Sequence, residues 1–163
     1  MAGGEILWQP SEARIAATQL DAFRREAAER RQRDLPGWDA LWRWSVDHRD
    51  EFWATVWSFC DVQASREPDR VLDRADALPG SVWFPGARLN FAENLLATGG
   101  GGDGPAIVAR SEARPRRELS RGDLRAQVAR CGAALEASGV GPGDRVAALL
   151  PNVPETVIAM LAA

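Results

Sequence analysis

The chain has 163 residues, 45% of them hydrophobic, and a formal net charge of −3. That is enough apolar material for one domain or a small pair with a sizeable core, and too little positive charge for a nucleic-acid binder. All twenty basic side chains are arginine and there is no tyrosine, so Schiff-base chemistry, a phosphate-loop lysine and a catalytic ammonium group have no residue to carry them in these positions.

The charge divides unevenly, with 12 arginines against 16 acids up to Leu96 and 8 against 7 from Gly99 onward. Neither half is basic enough to bind nucleic acid by charge. Cys60 and Cys131 are far apart and outside any metal-ligand spacing, which predicts reduced, buried thiols in a cytoplasmic protein. The N-terminus has no basic stretch followed by an apolar run of signal length. Residues 146–163 are apolar but are interrupted by Pro151, Pro154 and Glu155, so they do not read as a membrane span.

In chain order, Pro10 and Ser11 open the first predicted helix, with Ser11 as N-cap and Glu12 at the positive end of its dipole. Ala16, Leu20, Phe23 and Ala27 recur at helical spacing and predict one buried face, with Arg24, Arg25, Glu29, Arg30 and Arg31 solvated. Pro36 and Gly37 end that helix. A second is predicted over roughly residues 39–46, carrying Leu41, Trp42 and Trp44. A third begins near Asp50 with Phe52, Trp53, Val56, Trp57 and Cys60 on one stripe. Five of the seven tryptophans fall between Trp38 and Trp57. A base-stacking platform is one reading of them, but no basic groove accompanies them and a helical core stripe accounts for the spacing. His48, the only histidine, lies at a helix junction without partners for metal binding or general-base work, so its expected role is structural.

Residues 63–77 read as a charged loop. Next comes LPGSVWFPGARLNFAENLL, residues 78–96. Pro79, Gly80, Pro85 and Gly86 impose an extended, turning path on its first half. In its second half Asn90 and Glu93 form a capping pair for a short helix from Phe91 to about Ala97. Trp83, Phe84 and Phe91 are the expected anchors of this strap. The glycine-rich residues 99–104 read as a linker, because a phosphate-cradling loop needs a preceding strand, a following helix and a Lys-Ser/Thr end.

From Pro105 the pattern becomes α/β. Residues 106–109 and 118–119 predict short strands either side of a solvated arginine turn. Ser120 and Asp123 cap a helix whose buried positions are Leu124, Val128, Cys131 and Leu135. Gly139 ends it in the left-handed position, with Val140 packing back. Residues 145–150 are near-continuously apolar and predict a strand buried on both faces of a parallel sheet. Gly139, Gly141 and Gly143 are not a dinucleotide fingerprint, since they leave a helix and enter a strand rather than the reverse. Pro154 sits at N1 of a last helix with Val157, Ile158 and Leu161 facing inward.

The segment GVGPGDRVAALLPNVPETVIAMLAA, residues 139–163, resembles the opening helix-strand-helix of the acyl-adenylate-forming enzymes, the acyl-CoA synthetase and luciferase group. The blocks LWQPS (residues 7–11), WSVDHRDEFW (44–53) and WFPGARLNFAENLL (83–96) narrow the resemblance to the N-terminal region of the acetoacetyl-CoA synthetase family, with Arg49 standing where family members often have proline. The resemblance implies an α-rich α/β chain: an N-terminal helical cap over residues 1–98, a glycine-rich linker over 99–104, and over 105–163 the incomplete beginning of a large AMP-binding α/β domain. It implies an AMP-forming acid–thiol ligase using ATP, CoA and Mg2+ on acetoacetate, in the cytoplasm, with neither nucleic acid nor membrane as partner. The expected partner is the remainder of its own chain, since the family's nucleotide loop, acyl pocket and catalytic lysine would all lie beyond Ala163. No catalytic, cofactor-binding or metal-binding residue is therefore assigned in this chain, and alone it is expected to be inactive. Two other readings stay open: a helical interaction module or degenerate paralogue, and the opening portion of another short-chain acyl-CoA synthetase.

Overall fold

Two threonine and serine caps, rather than one, shape the start of the chain. In the computed structural model, which describes residues 7–97, 104–112 and 114–163, Ser11 Oγ accepts from the Arg14 amide at 3.3 Å and opens α1, Glu12–Ala16. Thr18 Oγ1 then accepts from the Asp21 amide at 3.1 Å and opens α2, Gln19–Arg31. The single first helix expected from the apolar spacing is thus two. The break separates Ala16 from the buried face, and Leu20, in the first turn of α2, is in phase with that face but exposed, while Phe23 and Ala27 are buried. Gln32, with φ of 50°, ends α2 in the left-handed region before the proline and glycine are reached.

The chain divides into two compact units, Met1–Arg88 and Leu89–Ala163. In the first, α3 (Trp38–Asp47) and α4 (Arg49–Phe59) follow α2, separated by His48. The core is Phe23, Ala27, Leu35, Leu41 and Trp44, with Phe52, Val56 and Phe59 packed on it. Phe23 meets Phe52 and Phe59 edge-on at 5.5 and 5.2 Å, and Trp44 meets Phe52 at 5.4 Å, the geometry that the ring quadrupoles favour. The predicted α4 stripe holds only in part. Trp53 is exposed, and Cys60 lies past the helix end, exposed rather than buried. The most buried side chain of α4 is instead Thr55, whose hydroxyl donates to the Glu51 carbonyl at 2.8 Å and accepts from Arg31 Nε at 3.1 Å. Arg24, expected in solvent, is half-buried because its Nη1 donates to the Leu35 carbonyl at 2.6 Å.

The charged segment predicted as loop contains β1, Leu72–Asp73, which pairs antiparallel with β2, Val82–Trp83. Two residues are too few to show a period in sequence, and only the partner across the turn defines them. The bridge between Arg66 and Arg88 extends the same antiparallel course. Trp83 and Phe84 anchor as expected, against Trp53 at 5.9 Å and Trp57 at 4.6 Å.

In the second unit, Asn90 Oδ1 accepts from the Glu93 amide at 2.9 Å and opens α5, Phe91–Ala97, as its capping pair predicts. Phe91 is not an anchor, being 68% exposed; Ala92 and Leu96 are the α5 residues that pack inward. Linker residues 99–103 lie outside the described residues. β3, Pro105–Ala109, pairs antiparallel with β4, Arg117–Ser120. Ser120 Oγ accepts from the Asp123 amide at 3.0 Å at the head of α6, Arg121–Ala137. Gly139, with φ of 89°, donates to the Glu136 carbonyl and Val140 to that of Leu135, a Schellman termination. α7, Pro154–Ala162, starts with Pro154 at N1 and buries Ile158 and Leu161 against Leu119, Leu124 and Val128. Cys131 is only half-buried.

The doubly buried strand expected over residues 145–150 is the main correction. All six residues are exposed and form neither helix nor ladder, and the sheets among the described residues are two antiparallel pairs. An apolar run becomes a strand only when neighbouring strands take its amides and carbonyls, and no described residue does so.

Candidate functional site

Three places gather polar or aromatic side chains. The first is the junction of α3 and α4. His48 Nδ1 lies 3.4 Å from Arg33 Nη2 and 3.7 Å from Glu51 Oε1. Arg33 donates to both oxygens of Glu51, at 3.1 and 3.2 Å from Nη2, and Trp44 Nε1 reaches Glu51 Oε2 at 3.5 Å. The carboxylate is therefore engaged with a guanidinium and an indole, and a general base needs a free lone pair aimed at a substrate. The Arg33–Glu51 pair clips the segment after α2 onto α4, with His48 beside it.

The second is a cavity of about 280 Å³ lined by Arg110, Arg114, Arg116, Arg117, Asn152 and Glu155 among others. Arg117 Nη1 donates to Glu155 Oε1 at 2.7 Å. That hydrogen bond first, and then the helix-start amide of Glu155 itself, hold its carboxyl below the usual glutamate range against desolvation, with the charges of Arg117 and Arg114 adding less. Glu155 stands in the first turn of α7, where the helix dipole favours a negative charge. The anion that such a basic, amide-rich corner attracts is thus already supplied by the chain.

The third is a groove of about 510 Å³ lined by Ile15, Leu20, Trp38 and Leu41 beside Asp21 and Arg24. Asp21 is paired with Arg24 and Arg25, and Glu12 and Thr18 are the other polar residues of the lining. Of the clustered tryptophans, Trp44 is buried in the core and Trp53 and Trp57 meet Trp83 and Phe84, while Trp38 and Trp42 are exposed. Among the described residues no cluster of three or more His, Cys, Asp or Glu is arranged to hold a metal ion. The Arg33–Glu51 and Arg117–Glu155 pairs carry no sequence signal, because their members are 18 and 38 positions apart. Only the chain's tertiary path brings them together.

Comparison with known proteins extends this picture. Residues 38–95 match the family described as acetyl-coenzyme A synthetase N-terminus, and residues 97–163 match the AMP-binding enzyme family. The acetoacetyl-coenzyme A synthetase of Rhizobium meliloti (strain 1021) is 41% identical over 156 residues, covering 96% of this chain and 24% of that protein. The malonamoyl-CoA synthetase of Penicillium aethiopicum is 37% identical over 165 residues, covering 98% and 22%. Among solved structures, an acetoacetyl-CoA synthetase from Streptomyces lividans superposes with a TM-score of 0.88 at 43% identity, over 98% of this chain and 25% of that one. The chain spans about a quarter of the length of the relatives it matches.

Proposed function

The chain is homologous over nearly its whole length to the N-terminal part of the acetoacetyl-CoA synthetases, and from that premise we propose that it is scaffold for an AMP-forming acetoacetate–CoA ligase of the cytoplasm. The whole enzyme would join acetoacetate to ATP, giving acetoacetyl-adenylate and pyrophosphate. The CoA thiol would then displace AMP to give acetoacetyl-CoA. ATP, CoA and magnesium are the proposed cofactors, the metal neutralising the triphosphate during adenylation. The observation that carries this reading is the agreement of sequence and fold with the Streptomyces lividans enzyme across 98% of the chain.

The substrate class can be drawn more sharply. Acetoacetyl and malonamoyl groups both carry a carbonyl two carbons from the reacting carboxyl, so a short 3-oxo carboxylate is the chemistry that these two relatives share. A site with hydrogen-bond donors to that carbonyl would reject butyrate, which leaves them unpaired. The residues of the present chain reach the reaction through support: rigid elements that hold a site to within a fraction of an ångström act on rate without touching substrate.

The test is ATP- and CoA-dependent consumption of acetoacetate by a protein that carries these 163 residues and its remaining domains, with malonamate and butyrate as comparison acids. Turnover of butyrate at the rate of acetoacetate would reject the substrate class. An acetoacetyl-CoA ligase activity in the isolated 163 residues would reject the scaffold role. The alternative of an independent interaction module is favoured by the closed core that each unit possesses. A cooperative, monomeric melt of the chain together with no ligase activity in any longer protein would select it.

A further inference from the structure

We infer that the arginine-lined cavity between the β3–β4 turn and the first turn of α7 binds a compact organic dianion, a phosphate monoester or a dicarboxylate, through the guanidiniums of Arg110 and Arg114. Such a site lies outside the proposed ligase reaction and does not depend on it. The charge is already crowded in the sequence, where Arg110, Arg114, Arg116 and Arg117 follow one another closely. The antiparallel register that sets Ala109 opposite Arg117 then folds the two ends of that stretch back together. Like charges held at one end of a hairpin repel one another, and a cleft lined by one sign of charge concentrates ions of the other. Two of these arginines are answered within the chain: Arg116 pairs with Glu118, and Arg117 donates to Glu155 Oε1 at 2.7 Å. Arg110 and Arg114 enter no ion pair or hydrogen bond among the described residues, yet both line the cavity. Glu155 therefore supplies the anion for Arg117 and leaves two guanidiniums uncompensated, a charge that a dianion matches.

Size and lining narrow the ligand. The volume of about 280 Å³ lies at the lower edge of the range that small-molecule sites occupy, about 300–1,000 Å³, which fits a compact anion rather than an extended one. Pro115, Val153 and Pro154 also line it and offer apolar surface to a small hydrocarbon body. Asn152 lines it too, and its side-chain amide, with two N–H donors, makes no hydrogen bond among the described residues. The backbone beside Asn152 is fixed, since the Val153 amide and Thr156 Oγ1 both donate to the Pro151 carbonyl, at 2.9 and 2.7 Å. Each free guanidinium presents paired donors that match two oxygens of a phosphate or carboxylate. The positive end of the α7 dipole adds to their attraction. The charge of Arg114 already reaches Glu155, where it helps to hold the carboxyl below the usual glutamate range.

The experiment titrates the 163-residue chain with phenyl phosphate at low ionic strength, by calorimetry and NMR, with succinate, inorganic phosphate and neutral benzyl alcohol as parallel probes. One-to-one binding is expected, with shifts concentrated at Arg110, Arg114, Asn152 and Glu155. The Glu155 titration midpoint should move upward, because a bound anion disfavours its charged form. Arg110→Ala and Arg114→Ala should each weaken binding about tenfold, the scale of a lost charge-assisted hydrogen bond. Arg114→Lys, which keeps the charge and loses the fork, should fall between. Glu155→Gln removes a competing negative charge and should tighten binding about threefold, a gain that damage to the fold does not produce. Arg130→Ala, exposed on α6, should leave binding unchanged. Tighter binding of phenyl phosphate than of succinate assigns a phosphate monoester, the reverse a dicarboxylate, and equal binding retains the site for dianions of both kinds. Benzyl alcohol bound as tightly as phenyl phosphate overturns the inference in favour of an apolar hollow. Inorganic phosphate bound as tightly as either organic anion overturns it in favour of an adventitious ion only. Equal losses in Arg130→Ala and Arg114→Ala overturn it in favour of diffuse surface charge, and no binding of any probe overturns it outright. Should the chain aggregate, the same titration is run on a longer protein that carries it, with the same outcomes.

Discussion

Gly86 is the position where a single methyl group tests the local geometry most severely. It adopts φ of +84°, and a Cβ placed on it would lie 2.5 Å from Asp69 Oδ2 and 2.8 Å from Asp69 Cγ. Asp69 cannot simply retreat, because its amide donates to the Pro85 carbonyl at 2.9 Å. Its side chain must swing instead, giving up the 3.1 Å contact with Arg66. Left-handed backbone costs a residue with a Cβ about 1–2 kcal/mol, and loss of an exposed ion pair adds roughly 0–1 kcal/mol. Gly86→Ala should therefore destabilise the first unit by about 1–3 kcal/mol. With a urea slope of ~1–3 kcal/mol per molar, its midpoint should fall by on the order of 1 M, followed through the fluorescence of Trp53, Trp57 and Trp83. Asp69→Ala separates the two causes. In that background the clash is gone and the backbone strain remains, so about 1–2 kcal/mol of the Gly86→Ala effect should persist. A Gly86→Ala variant as stable as its parent would refute the geometry. Complete rescue by Asp69→Ala would refute the strain.

Three other outcomes are expected. Ile158→Ala, at 6% exposure between α7 and α6, should cost the second unit about 2–5 kcal/mol in chemical denaturation, whereas Met160→Ala on the exposed side of the same helix should change little. Thr55→Val keeps the shape of a 2%-exposed side chain and removes its hydroxyl, so a loss of about 1 kcal/mol is expected, together with faster motion of Arg31 by NMR relaxation. For Glu155, whose folded pKa is lowered chiefly by the Arg117 hydrogen bond, any stabilisation is present above the ordinary glutamate range and is lost as pH falls through the lowered value. An NMR titration should give a midpoint below that of an ordinary glutamate, and Arg117→Gln should move it upward; an unmoved midpoint would contradict the pair.

Helix ends were the most legible part of this fold. Ser11, Asn90 and Ser120 satisfy helix-start amides within three residues, and Gly139 with Val140 satisfies helix-end carbonyls within five. Their physics is complete inside a short window of sequence. Thr18 had the same signal and was masked by the apolar periodicity running through it, which is why one predicted helix became α1 and α2. For the candidate site, composition bounded the chemistry by the absence of lysine, and the blocks at 44–53 and 83–96 carried the resemblance to the acetoacetyl-CoA synthetases. Neither revealed that Glu51 and Glu155 are both committed to arginines.

What the sequence determined by itself was therefore local: most of the caps, the helices from α3 onward, and the proteins that the chain resembles. What only the tertiary structure decided was non-local: that Thr55 rather than Cys60 is buried in α4, that Phe91 faces solvent, that Leu72–Asp73 is a strand, and that residues 145–150 remain unpaired. A cap is satisfied by its own neighbours. A strand or a buried face exists only when a distant segment comes to meet it, and for residues 145–150 no described segment of this chain does.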